Sequence, residues 1–138
     1  MSSEALFHVT VKGVIVLDGK LLLLKKVKES KDKFGFWELP GGGMEFGETP
    51  VEAMQREALE EAGLTIDVLK PISTFHLTRK DKQIIGIVFL CRAKSLEVRL
   101  SDEHSEYVFV TQQEAQNYLA PTIYKDTFSH EVLNFMHK

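Results

Sequence analysis

The chain has 138 residues, 43% of them hydrophobic, a net charge of −3 and a sequence pI near 6.0. That length and composition can bury a core without metal or disulfide staples, and a lone cysteine, Cys91, excludes an internal disulfide. The acidic balance argues against general nucleic-acid binding, and no apolar run approaches the roughly 18 residues that a bilayer crossing needs.

Met1-Ser2-Ser3-Glu4 puts no basic region ahead of a long apolar stretch, so a cytoplasmic protein with no membrane partner is the expectation. Val14–Leu17 and Leu21–Leu24 flank Asp18-Gly19, the dipeptide of a two-residue hairpin. Residues 27–35 read as a polar loop. Around it, Lys25, Lys26, Lys28, Lys31 and Lys33 form a basic stretch that could steer a polyphosphate, although such loops are more often simply solvated. Phe34, Phe36 and Trp37 could stack on a base or join the core. The run Pro40-Gly41-Gly42-Gly43 frees backbone groups for close approach to a ligand, which makes Gly42 and Gly43 candidate substrate contacts.

Thr49-Pro50-Val51-Glu52 predicts a helix start, with Thr49 as cap, Pro50 at the first position and Glu52 closing a capping box. Gly63 supplies the left-handed residue that ends it. Beyond lie strand-like runs at Ile66–Leu77 and Ile84–Ala93, separated by the turn-prone Arg79–Lys82. Cys91 in the second run reads as an inert core residue, and His76 in the first as a hydrogen-bonded structural one. A short strand at Tyr107–Val110 precedes a polar helix near Gln112–Leu119. After Pro121 the spacing of Tyr124, Phe128, Val132, Phe135 and Met136 predicts one amphipathic C-terminal helix. Strands with helices between and after them indicate an α/β fold, a sandwich around a mixed sheet, as a single domain over residues 1–138.

Residues 42–64 carry the functional signal. Six glutamates (45, 48, 52, 57, 60 and 61) face one base, Arg56, so the segment holds −5 in a chain of −3. Like charges this close repel, and a divalent cation is the natural counter-charge because clustered carboxylates supply hard oxygen ligands. At about 100° per residue, Glu57, Glu60 and Glu61 fall within one arc of the helix. Val51, Met54, Ala58, Leu59 and Ala62 are expected on the opposite, buried side, leaving the three carboxylates as an exposed row. Solvated glutamate-rich faces are common, yet Arg56 beside the row could hold the carboxylates in place or meet phosphate.

Gly42, five residues, Glu48, seven residues, then Arg56-Glu57-Ala58-Leu59-Glu60-Glu61-Ala62-Gly63-Leu64 resembles the Nudix box of the Nudix (MutT-like) hydrolases. Every charged and glycine position of that pattern is filled; only Ala58 is smaller than the usual aliphatic residue. Phe36-Trp37-Glu38-Leu39-Pro40-Gly41 also looks like the family's approach to the box. The resemblance implies an α/β/α sandwich around a mixed β-sheet and a Mg²⁺-dependent pyrophosphohydrolase, with Mn²⁺ as a substitute ion. It casts Glu57 and Glu61 as principal metal ligands, with Glu60 close by, the Gly41 carbonyl adding an oxygen, and Arg56 anchoring the cluster. Glu48 would support the metals and the helix start. The general base is left open among the glutamates. A further acidic ligand from a distal loop is assigned to Glu106, with Glu103 second; His104 beside them could join, although a lone loop histidine is more often simply exposed.

The resemblance further implies a small-molecule nucleotide substrate and leaves open a homodimer. Pro71 lies too close to the box for the proline of ADP-ribose-type members, and Arg79–Lys82 lacks the tyrosine of dinucleoside-polyphosphate types. Elimination favours a (deoxy)nucleoside triphosphate or oxidised nucleotide. ADP-ribose or a nucleotide sugar is the alternative, and a non-catalytic nucleotide-sensing domain a further one.

Overall fold

Leu21, Leu22, Leu23 and Leu24 are all fully buried, which an isolated strand with one wet face could not achieve. They lie in β2 (Lys20–Lys26), inside a sheet covered on both faces. The computed structural model describes residues 6–27 and 37–137. Lys28, Lys31, Lys33, Phe34 and Phe36, singled out above, lie outside the described residues.

The elements in chain order are β1 (Leu6–Leu17), β2, β3 (Trp37–Glu38), β4 (Gly41–Gly43) and α1 (Pro50–Ala62). Then follow β5 (Ile66–Arg79), β6 (Lys82–Ala93), β7 (His104–Val110), α2 (Gln112–Ala115), α3 (Pro121–Thr127) and α4 (His130–Met136). The sheet runs β3-β2-β1-β6-β5, with β4 also on β1 and β7 also on β2. β1 and β6 pair in parallel from Leu6↔Lys82 to Val16↔Arg92, and the other pairs are antiparallel, so the sheet is mixed. Asp18 (φ 53°) and Gly19 (φ 73°) close the β1–β2 hairpin, both in the left-handed region that a tight hairpin turn demands.

Strand alternation divides the core in two. Val11 and Ile15 of β1 and Leu22 and Leu24 of β2 pack with Ala53, Met54, Ala58 and Ala62 of α1. Their neighbours Val14, Val16, Leu21 and Leu23 pack on the other face with Ala115 of α2, Phe128, and Val132 and Met136 of α4. The result is an α/β/α sandwich around a mixed sheet. Cys91 is buried in the first cluster, and Trp37 packs against the second, edge-on to Tyr118 at 5.0 Å, rather than standing free to stack on a base.

Several expectations are corrected. β1 is longer than Val14–Leu17, and Gly41–Gly43 form a strand through pairing with Thr10, Val11 and Lys12. The helix near Gln112 stops at Ala115. The C-terminal helix is two: α3 ends at Phe128, whose φ −96° and ψ 61° are non-helical, and Ser129 caps α4 by accepting from the Val132 N–H. Pro71 is tolerated within β5 because that strand is an edge of the sheet and its register shifts between Pro71 and Ser73. His76 is exposed on β5. Among the described residues no helix is long and apolar enough to cross a membrane.

Candidate active site

The local chemistry of α1 is as its sequence dictates. Thr49 accepts a hydrogen bond from the Glu52 N–H while the Glu52 carboxylate accepts one from the Thr49 N–H, and Gly63 ends the helix at φ 66°. The side it buries is not the expected one. Val51 and Leu59 are exposed, whereas Glu57 (9% exposed) and Glu61 (4%) are buried beside Ala53, Met54, Ala58 and Ala62. On a helix, Met54 lies only about 20° from Glu61 and cannot occupy the opposite face. Small residues at 53, 58 and 62 let α1 sit close to the sheet, and Glu57 and Glu61 sink with it; of the three carboxylates only Glu60 is exposed.

Two glycines make room for those acids. A Cβ on Gly42 would stand 2.7 Å from Glu57 Oε1, so the missing side chain is the space that the carboxylate occupies. Gly41 adopts φ 151°, and its N–H donates to Glu61 Oε1 at 2.7 Å. β4 thus meets α1 through backbone at one carboxylate and through vacated volume at the other.

Arg56 ties the cluster together. Its guanidinium donates to Glu48 through Nε (2.6 Å) and Nη2 (3.0 Å), to Glu57 Oε1 through Nη1 (3.0 Å) and to the Gly43 carbonyl through Nη2 (2.9 Å). Nη1 also reaches Glu60 Oε2 at 3.2 Å. Glu48 in turn accepts from the Glu45 N–H at 2.7 Å. The planar fork spans these acceptors as a lysine could not. Hydrogen bonding to Glu48 holds Arg56 above its ordinary pKa, and the same bond holds Glu48 below the usual carboxylate range.

The buried acids shift the other way. Burial raises the Glu57 carboxyl against the pull of Arg56. Burial pushes Glu61 up to about 8, with Glu57 and Glu38 adding and the Gly41 N–H and Lys12 opposing. Burial favours the neutral form of Glu61, and a bound cation would favour its ionised one.

A cleft of about 470 Å³ opens over this cluster, lined by Gly41, Gly42, Gly43, Glu57, Glu60, Glu61, Ser101, Asp102 and Glu103. All of the predicted acids of α1 therefore meet the predicted glycines. Glu106 does not join them. It stands opposite Lys25 in the β2–β7 register, pairs with Lys25 Nζ at 3.1 Å and has a side chain 59% exposed. Glu103, just before β7, reaches the cleft instead. His104, expected to be exposed, is buried at 4%, with Nε2 3.0 Å from Glu38 Oε2. Glu38 and Lys12 (Nζ–Oε1 3.1 Å) are neighbours of the site that the linear sequence did not single out; their only signal was Glu38's place in the approach to the box. A second hollow, about 520 Å³ beside Gly63 and Arg99, contains one carboxylate, Glu97, and lacks the paired acids.

Comparison with known proteins agrees with this geometry. The NUDIX domain model matches residues 6–130. The ADP-ribose pyrophosphatase of Methanocaldococcus jannaschii is 37% identical over 103 residues, covering 73% of this chain and 60% of that protein. The nucleoside triphosphatase NudI of an Enterobacter species is 32% identical over 116 residues, covering 75% and 82%. The crystal structure of the MutT protein from Methanosarcina mazei Go1 superposes with a TM-score of 0.76 at 29% identity, covering 99% of both chains. The chain belongs to the NUDIX family of hydrolases.

Proposed function

We propose that this Nudix hydrolase is a Mg²⁺-dependent pyrophosphohydrolase that cleaves the diphosphate linkage of a nucleoside diphosphate derivative, with a nucleoside triphosphate as its preferred substrate. The observation that carries the reading is the pair of buried carboxylates, Glu57 and Glu61, pinned on one wall of an open cleft with Glu60 at its mouth. The oxygen-only donor set of these three residues suits a hard divalent ion. When bound, that ion would neutralise the diphosphate and lower the pKa of a coordinated water.

The protein's own groups do the rest. Gly41 and Arg56 hold Glu61 and Glu57 in fixed places, which spares the site reorganisation during reaction. Arg56, with its donors already committed to Glu48, Glu57, Glu60 and Gly43, acts as an anchor more than as a phosphate clamp. Glu103 takes the place of the distal acid in preference to Glu106, because it lines the cleft. One of the cleft carboxylates takes the proton from the attacking water. Gly42 and Gly43 offer a floor without side chains for the phosphates.

The triphosphate preference draws support from the similarity to NudI. The 37% identity to the ADP-ribose pyrophosphatase favours a second reading, ADP-ribose or a related nucleotide sugar. A purely sensing domain fits less well, since no acid of the box is missing. Phosphate release measured over nucleoside triphosphates, oxidised nucleotides, ADP-ribose and dinucleoside polyphosphates in Mg²⁺ tests the proposal. Expected are turnover on one class, loss with chelator, and a fall of orders of magnitude in Glu57→Gln and Glu61→Gln with folding kept. Hydrolysis that survives complete chelation would overturn it.

A further inference from the structure

The His104 ring is more tightly placed than a bystander needs to be. Its side chain is 1% exposed and its Nε2 lies 3.0 Å from Glu38 Oε2. A carboxylate can only accept, so Nε2 carries the hydrogen of that bond, and in the neutral ring Nδ1 presents a lone pair. Glu38 is itself fixed, with Lys12 Nζ at 3.1 Å and Lys26 Nζ at 3.7 Å from its other oxygen. Nδ1, by contrast, has no hydrogen-bond partner among the described residues.

That buried nitrogen faces the acidic cleft. Glu61 Oε2 stands 3.9 Å from it, and Glu61 Oε1 is already held by the Gly41 N–H. The gap is too long for a hydrogen bond. It is within reach of one ion: with metal–ligand bonds of about 2.1 Å, two ligands of the same metal stand at most about 4.2 Å apart. One ligand atom each from Glu61, Glu103 and His104 all lie within 4.8 Å of one another, so binding one ion requires the exposed Glu103 to swing inward.

We propose that Glu61, Glu103 and His104 form a nitrogen-containing cation site that takes a first-row transition ion, of the Mn²⁺ or Co²⁺ class, in preference to Mg²⁺. The inference deepens the reading above, with which it shares Glu61. The Glu57–Glu60–Glu61 group offers oxygen alone, whereas an imidazole nitrogen moves selectivity toward the transition ions. The Glu38–His104 bond does for the ring what outer carboxylates do for metal-binding histidines: it sets the tautomer and the direction of the free nitrogen.

The test is pulsed EPR on the full chain loaded with Mn²⁺ alone. Expected is a ¹⁴N coupling that becomes a ¹⁵N coupling when the histidines are ¹⁵N-labelled and disappears in His104→Gln. Mn²⁺ affinity should fall about tenfold or more in His104→Gln, with Mg²⁺ affinity changed far less. The isotope exchange needs no substitution, so a variant that misfolds leaves the question decidable. Bound Mn²⁺ without nitrogen coupling in the wild-type protein overturns the proposal, as does a coupling that persists in His104→Gln. Absence of the coupling from the wild-type protein, with its hydrolysis in Mg²⁺ intact, refutes only this site, while coupling in a wild-type protein with no phosphoanhydride hydrolysis refutes only the proposed function.

Discussion

Gly41 and Gly42 are adjacent on β4, yet alanine at each should fail differently. At Gly42 the added methyl would stand 2.7 Å from Glu57 Oε1 and 2.8 Å from its Cδ and Oε2. Ordinary contact begins near 3.4 Å, so the carboxylate must retreat by about 0.7 Å. It can, because it ends a flexible side chain and the backbone at Gly42 is one that alanine adopts freely. Alanine also lowers the entropy of the unfolded chain, a gain of about 0.4–1 kcal/mol that offsets the repacking. Net stability should change by less than about 1 kcal/mol, or about 4 °C in Tm. Catalytic groups, however, must be held to within about 0.5 Å, and a misplacement of about 1 Å can cost a hundredfold. Gly42→Ala should therefore lose about 10- to 100-fold in kcat with its fold kept.

At Gly41 the methyl would meet the Val11 carbonyl at 2.0 Å and Lys12 Cα at 2.8 Å, from a φ of 151°. Both obstacles are backbone, so the β1–β4 pairing itself must yield, at a cost of about 3 kcal/mol or more. Circular dichroism melts and initial rates over a Mg²⁺ and nucleotide series separate the two variants. A Gly42→Ala protein with wild-type kcat, or one melting as early as Gly41→Ala, would refute the reasoning.

Other outcomes follow from the same cluster. The Glu61 carboxyl is raised to about 8 when folded, chiefly by burial. Between the ordinary carboxylate range and about 8 the unfolded chain has lost that proton while the folded one keeps it. Metal-free stability is thus fullest below that window and falls as pH rises through it, by at most roughly 5 kcal/mol. Denaturant titrations in chelator from pH 5 to 9 should show this slope, flattened in Glu61→Gln; identical slopes would contradict it. Arg56→Lys keeps the charge but loses the fork, so kcat/KM should fall about a hundredfold with the fold intact, and an unchanged value would remove Arg56 from its anchoring role. Burial pushes the Cys91 thiol up to about 12, so thiol reagents should label it only as fast as the protein opens; prompt labelling of native protein would argue against its place in the core.

The parts of this fold that local chemistry decides were legible. Thr49, Pro50, Glu52 and Gly63 bracket α1 because a capping box and a left-handed terminus involve only near neighbours. Asp18-Gly19 makes its hairpin for the same reason. What distant chain decides was not legible. Three successive glycines have little strand propensity, and β4 exists because β1 offers Thr10, Val11 and Lys12 as partners. The first half of β1, where His8, Thr10 and Lys12 interrupt the apolar pattern, is held by a parallel neighbour more than seventy residues on in the chain. The break at Phe128 could have been read, since Ser129 carries an ordinary helix-capping signal, but an apolar spacing that runs on across it concealed the stop.

The site divides along the same line. The glutamate spacing puts Glu57, Glu60 and Glu61 on one arc, and they do line one cleft, yet an arc on a helix says nothing of which side faces the sheet. That is decided by where the small residues lie and where β4 leaves room, and both placed Glu57 and Glu61 inward. What separates Glu103 from Glu106 in space is the β2–β7 pairing. Once β7 pairs Glu106 with Lys25, the side chain is committed to that partner, and the acid left to face α1 is the one just before the strand begins. Alternation alone would put His104 on the same face as Glu106; the register shift between Lys25 and Lys26 interrupts it, and His104 lies beside Glu61, where a histidine expected in a loop becomes a buried nitrogen aimed at a carboxylate.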